Sequence, residues 1–196
     1  MLKRHWLTLV LLLVLVGVWQ LVASLPGVDL TLASPGQTAR AMVDDRSLLL
    51  HNAWITLVEV LLGLGIAVAA GAAVAIGMHV VRPLREAAYP LLIASQALPV
   101  VVIAPLLVLA FDFGIGPKIA IVALVCFFPV TVNLLDGLRS VDPSLLKLMH
   151  GLGASRAATL WKVELPSALP YLFSGLRIAA TVSVIGAVFG EWAEAE

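Results

Sequence analysis

Five long apolar runs constrain this chain more than any other feature: Trp6 to Ala23, Ala53 to Val81, Tyr89 to Phe111, Ile119 to Leu138 and Tyr171 to Phe189. A helix needs about 20 largely apolar residues to cross about 30 Å of hydrocarbon, and each run meets that length. At that depth backbone groups have no water to bond, so the runs must be helices. The sequence therefore predicts an all-α, polytopic membrane helix bundle. The first run has an alternative reading as a signal peptide, because Lys3 and Arg4 precede it and Val22-Ala23-Ser24 resembles a small-residue cleavage site. An uncleaved first helix is simpler, since the run exceeds a signal core and four more spans follow. Residues 1–52 then form a first transmembrane helix with an outer loop, and residues 53–196 a core.

With 61% hydrophobic and 12% charged residues, the chain lies far from a water-soluble composition. Twelve basic and twelve acidic side chains cancel, which leaves no positive field for nucleic acid. Their placement is uneven. Lys3, Arg4, Arg82, Arg85, Arg139, Lys147, Arg156 and Lys162 fall on one side of the predicted spans, and Arg40, Arg46 and Lys118 on the other. The positive-inside rule makes the first side cytoplasmic, together with the N-terminus. On that assignment Arg82 to Ala88 is a tight inner turn, Asp112 to Lys118 an outer turn, and Arg139 to Pro170 a long inner loop. In the outer loop from Leu25 to Asn52, Pro26, Gly27, Pro35 and Gly36 predict an irregular start, with a short surface helix over Thr38 to Leu50.

Small residues recur every fourth position at Gly63, Ala67, Gly71 and Ala75, a smooth face suited to close helix packing, although glycine is common in membrane helices generally. Pro99 and Pro105 predict bending of the third span, and Pro129 of the fourth, whether as hinges or as packing shapes. Ser95, Gln96 and Asn133 are polar in apolar surroundings. With Pro99 they are candidate pathway residues, interhelical bonding being the other reading. Glu59 and Asp136 are the acidic groups inside the spans, and Arg177 lies where it can snorkel to the inner surface or pair. Cys126, the single cysteine, reads as a small buried apolar residue and forbids an internal disulfide. His5, His51, His79 and His150 are scattered and share no metal-ligand spacing, so no metal or catalytic cluster is expected.

The inner loop carries its own pattern. Asp142 can cap a helix starting at Pro143, and Leu145, Leu148, Met149 and Leu152 then share one face. Gly151 and Gly153 break that helix, Ser155 can cap a second, and Pro166 is expected to stop it after Glu164. The apolar stripe has to be covered by the lipid interface, the bundle itself or a partner.

Gly153, nine intervening residues, then Val163-Glu164-Leu165-Pro166 resembles the signature loop of ABC-importer permeases: E-A-A, three residues, G, nine residues, I, one residue, L-P. Leu152 to Arg156, Leu165 to Tyr171 and Gly175 to Ala179 are similar to the nitrate, sulfonate and taurine branch, as are Leu98-Pro99, Ala104-Pro105-Leu106, Phe128-Pro129 and Gly137 to Asp142. The resemblance runs from about His51 to Glu191. It departs from the family where Lys147, Leu148 and Met149 replace the E-A-A triplet, and where the chain stops at Glu196, short of a sixth span. It implies a type I importer permease of the bacterial inner membrane, five spans present and a sixth missing, importing nitrate, sulfonate, taurine or a pyrimidine precursor. Gly190-Glu191-Trp192 leans toward the last of these.

Leu145, Leu148, Met149, Leu152, Gly153, Ala154 and Pro166 would then couple to a separate ATPase, within a loop spanning 139–170. A phosphate-binding G-x-x-x-x-G-K-[ST] motif is absent, so ATP belongs on that partner and no cofactor on this chain. The other implied partners are a second, identical permease copy, an extracytoplasmic substrate-binding protein and the lipid bilayer. An ion-coupled secondary transporter, with Glu59 and Asp136 as relay, is the alternative.

Overall fold

The computed structural model describes residues 6–25 and 32–195, and every element among them is helical. Lys3, Arg4, His5, Pro26 and Gly27 lie outside those residues. Two compact units result, 1–54 and 55–196, the boundary falling within a helix.

In the first unit, α1 (Trp6–Ala23) exposes nearly every side chain, as a helix bathed in hydrocarbon would. Its Trp19 Nε1 donates to the Ala33 carbonyl at 3.0 Å. The helix expected over Thr38 to Leu50 is present, as α2 (Pro35–Asp44) and the start of α3 (Arg46–Val80). Ser34 and Gln37 form a capping box that starts α2, and α3 begins directly after Asp45.

Within the second unit, α3 presents Glu59, Gly63, Ala67, Gly71 and Ala75 on one buried stripe, so the four-residue pattern is a packing face. A Cβ at Gly63 would fall 2.6 Å from Val122 Cβ, and one at Gly71 2.9 Å from Thr131 Oγ1. The backbones of α3 and α6 (Ile115–Arg139) thus meet through glycine. Pro129 sits inside α6 without interrupting it. Against the other side of α6 runs α9 (Leu165–Ala195), where Ala168, Gly175, Ala179, Ala187 and Gly190 are all buried. This second small-residue stripe extends the 3.6-residue periodicity through the whole helix and went unread in the sequence. Cys126 is fully buried between the two, its Sγ donating to the Ala179 carbonyl at 3.3 Å. A maleimide is accordingly expected to label Cys126 at least about tenfold more slowly in the folded, detergent-solubilised protein than in dodecyl sulfate, because only opening of the bundle exposes the thiol. Equal rates would refute this packing.

One expectation fails in the middle of the chain. Arg82 to Ala88 is no turn: Pro83 and Arg82 open a helix, α4 (Arg82–Ser95), whose Arg82 Nε bonds Glu86 Oε1 at 2.9 Å. The third span, by contrast, is bent as Pro99 predicts, and sharply. α4 and α5 (Val100–Phe111) meet at 102° across residues 96–99. Pro99 accounts for the break, since it lacks a donor and holds Leu98 away from helical geometry, and Pro99 itself is extended (φ −65°, ψ 128°). Pro105 sits within α5 and breaks nothing. α5 then packs on α6 and α9. Among the described residues four helices are long and apolar enough to span a bilayer, and five spans result if the bent pair counts as one.

Candidate functional site

Beyond α6 the chain leaves the long helices. Asp142 Oδ1 accepts from the Ser144 amide at 2.7 Å and caps α7 (Pro143–Gly151), with Pro143 in the first turn as the sequence predicts. The exit is a double hydrogen-bonded C-terminal turn: the Gly153 amide donates to His150 and the Ala154 amide to Met149, each at 3.0 Å. That turn demands a left-handed residue, and Gly153 supplies it at φ +78°. Ser155 Oγ then accepts from the Ala158 amide at 3.2 Å and starts α8 (Arg156–Thr159).

Pro166 does not stop this helix, which is a correction to its expected role. A π turn, Leu160–Glu164, follows α8 directly, its last carbonyl bond running from the Leu165 amide back to Leu160, and α9 continues without a gap. In regular α-geometry the Pro166 ring would collide with the Lys162 carbonyl and leave it without a donor. Widening the preceding turn moves that carbonyl aside, so the proline is carried into α9. Residues 156–193 therefore act as one long helix, and the expected loop 139–170 ends in its first turns.

Leu145 and Leu148 on α7 and Leu152 just after it are exposed, Leu152 to 74%, while Met149 is half-buried. Ala154 is half-buried and Pro166 exposed. Behind the helix lies a cavity of about 540 Å³ lined by His79, Leu146, His150, Arg156, Leu160 and Glu164. His79 Nε2 and Glu164 Oε2 approach to 3.1 Å across its wall. Neither residue stands out in the sequence, because their meeting depends on α3 and α9 running alongside each other.

Of the candidate pathway residues, Ser95, Gln96 and Pro99 sit together at the elbow, where Ser95 Oγ donates back to the Leu92 carbonyl at 2.7 Å. Asn133 is placed differently. Its Nδ2 donates to the Pro129 carbonyl at 2.7 Å, and its Cβ lies against Gly175 of α9. Asp136 and Arg177 are exposed.

At the opposite end of the bundle Glu59, buried to 1%, faces Lys118 Nζ at 3.6 Å, and Thr56 Oγ1 donates to Glu191 Oε1 at 2.6 Å. Glu59 and Asp136 thus belong to opposite ends of the bundle and form no relay. No group of three or more His, Cys, Asp or Glu capable of holding a metal occurs among the described residues.

Residues 60–194 match the family described as "Binding-protein-dependent transport system inner membrane component". The formylaminopyrimidine transport permease protein of Halalkalibacterium halodurans is 36% identical over 181 residues, 92% of this chain and 72% of that protein. A probable ABC transporter permease protein of Haemophilus influenzae is 40% identical over 180 residues, covering 91% and 74%. The taurine transport system permease protein of Escherichia coli is 34% identical over 180 residues, covering 87% and 65%. These matches agree with the branch that the motifs resemble. The chain belongs to the family of binding-protein-dependent inner membrane components and is a permease subunit of the ABC importer kind, not an enzyme.

Proposed function

We propose that this permease couples closure of a separate ATPase to alternating access of a small solute, with α7 as the docking element. The observation that carries this reading is the exposed ridge of Leu145, Leu148 and Leu152, held rigidly between the Asp142 cap and the Gly153 turn. An apolar ridge at the end of a membrane bundle, outside the long helices, calls for a covering groove. Arg82, Arg85, Arg139, Lys147, Arg156 and Lys162 cluster at that end of the chain's spans and Lys118 at the other, which supports a cytoplasmic loop and N-terminus. Met149, Gly153, Ala154 and Pro166 complete the element as turn and exit. ATP binds to the partner subunit.

A second copy of the chain would complete the translocation path, and an extracytoplasmic binding protein would deliver the solute. Ser95, Gln96 and Pro99 at the elbow are the path residues favoured here, since an interrupted helix is tolerated at membrane depth where it lines a cavity or protein. Asn133 serves packing between α6 and α9. For the solute, the formylaminopyrimidine relative and the Gly190-Glu191-Trp192 sequence favour a pyrimidine precursor over taurine or a sulfonate.

The test is Gly153→Val in the reconstituted complex. A β-branched residue resists φ +78°, so the α7 exit must refold, while no neighbour lies within 4 Å of the new Cβ to disturb the bundle. Transport-linked ATP hydrolysis is expected to fall at least about tenfold, a change of roughly 1.4 kcal/mol or more in coupling, with membrane insertion unchanged. Full coupling in the variant would overturn the reading.

A further inference from the structure

Where the proposed coupling loop meets the long helix α3, the described residues include a polar contact whose geometry points to a mechanical role. His79 lies in the last turn of α3, and Glu164 is the final residue of the π turn, immediately before Leu165 and Pro166. Their Nε2 and Oε2 atoms are 3.1 Å apart, with side chains only 17% and 12% exposed. The ring's other nitrogen, Nδ1, is buried and has no hydrogen-bond partner among the described residues. The imidazole is therefore oriented through its bond to Glu164. Beside the pair the cavity of about 540 Å³ separates Val80 from Leu146, His150 and Arg156, so solid packing does not continue from α3 into α7 there. A displacement of α7 and α8 can be absorbed by an open cavity, but a hydrogen-bonded pair at its wall transmits it.

We infer that His79 is a positioning residue that ties the end of α3 to the coupling loop through Glu164, so that movement imposed on the loop by the ATPase is passed to α3. This rests on the docking role proposed for α7. About six turns from His79, α3 is anchored again, by Glu59 beside Lys118 of α6 and by Thr56 bonded to Glu191 of α9. The stretch from Thr56 to His79, held at both of these points, can carry a shift of the loop to the opposite end of the bundle as a rigid element. The pair requires a donor at the His79 position and an acceptor at Glu164. A glutamine at position 79 retains an N–H able to reach Glu164, and an alanine does not.

The experiment uses the full complex of permease and ATPase in nanodiscs. A reporter cysteine replaces Leu57, an exposed residue beside the second anchor of α3, in a Cys126→Ala background. The readout is the change in maleimide labelling rate at the reporter on trapping the ATPase with ATP and vanadate, alongside the amount of ATPase that co-purifies. With His79 present, trapping is expected to change the rate. His79→Ala should reduce that change at least about fivefold while retaining the ATPase and the parent melting temperature, and His79→Gln should keep most of it. A full response in His79→Ala, no response in the parent, or loss of ATPase from His79→Ala alone would overturn the inference. Failure of the unsubstituted permease to retain the ATPase would instead sink the docking role itself, and this inference with it.

Discussion

Leucine in place of Gly175 is expected to lower stability by on the order of 3 kcal/mol. A Cβ at this position would stand 2.7 Å from the Pro129 carbonyl oxygen and 2.9 Å from Asn133 Cβ. The first neighbour is backbone and cannot rotate away, so α6 and α9 would have to separate along their length. That separation would strip contacts from Cys126, Val130 and Ala179, which are fully buried between them. Gly65→Leu is the control, because no atom lies within 4 Å of a Cβ there. Melting followed by size-exclusion chromatography in detergent should place Gly175→Leu about 6 to 12 °C below the parent, taking about 2 to 4 °C per kcal/mol for a chain of this size, and Gly65→Leu close to it. A melting point unchanged by Gly175→Leu would mean that the two helices do not meet as described.

Lys118→Met should also be destabilising, because it removes the cation that stands 3.6 Å from the buried Glu59 carboxylate. Burial of Glu59 is nearly complete, and Lys118 Nζ at 3.6 Å is too far for a good hydrogen bond but close for a charge in low dielectric. The sign of the double variant separates this account from a general loss of packing. Glu59→Gln combined with Lys118→Met removes both charges, and replacing a buried pair is often nearly neutral, so most of the lost stability should return. Additive damage in the double variant would instead assign the effect to the lysine's alkyl chain. The same melting assay reads both outcomes.

The long helices were legible because hydrocarbon imposes length and apolarity on any segment that crosses it, and α1, α3, α6 and α9 satisfy both. The caps at Asp142 and Ser155 and the turn at Gly153 were legible for a different reason: each depends on contacts within a few residues. The fate of Pro166 was not. Proline's local rule, that it ends a helix, was overridden by a π turn that the sequence pattern does not advertise. The same holds at Arg82, where two charged residues suggested a turn and the chain instead restarts a helix around Pro83. The 102° elbow was foreshadowed by Pro99, but its angle depends on what α4 and α5 pack against, including Leu92 in a cluster with Met78 and Leu138. His79 with Glu164, Glu59 with Lys118, and Thr56 with Glu191 are long-range pairs, invisible until helix order and depth are known. The family resemblance identified the loop; it gave no hint of the polar contact behind it.

The π turn also sets an angular phase. One residue more than an ordinary turn requires corresponds to about 100° of rotation at 3.6 residues per turn, so helical wheels drawn from Arg156 and from Leu165 do not superimpose. Trp161, 68% exposed, and Glu164, turned inward to His79, take opposite directions from the same five-residue segment. The nine residues between Gly153 and Val163 include most of that segment, and a chain one residue shorter there would swing its leucine ridge by more than a quarter turn around the axis of α9. Segment length, independent of the side chains that fill it, thus acts as a dial for the direction in which the leucine ridge points.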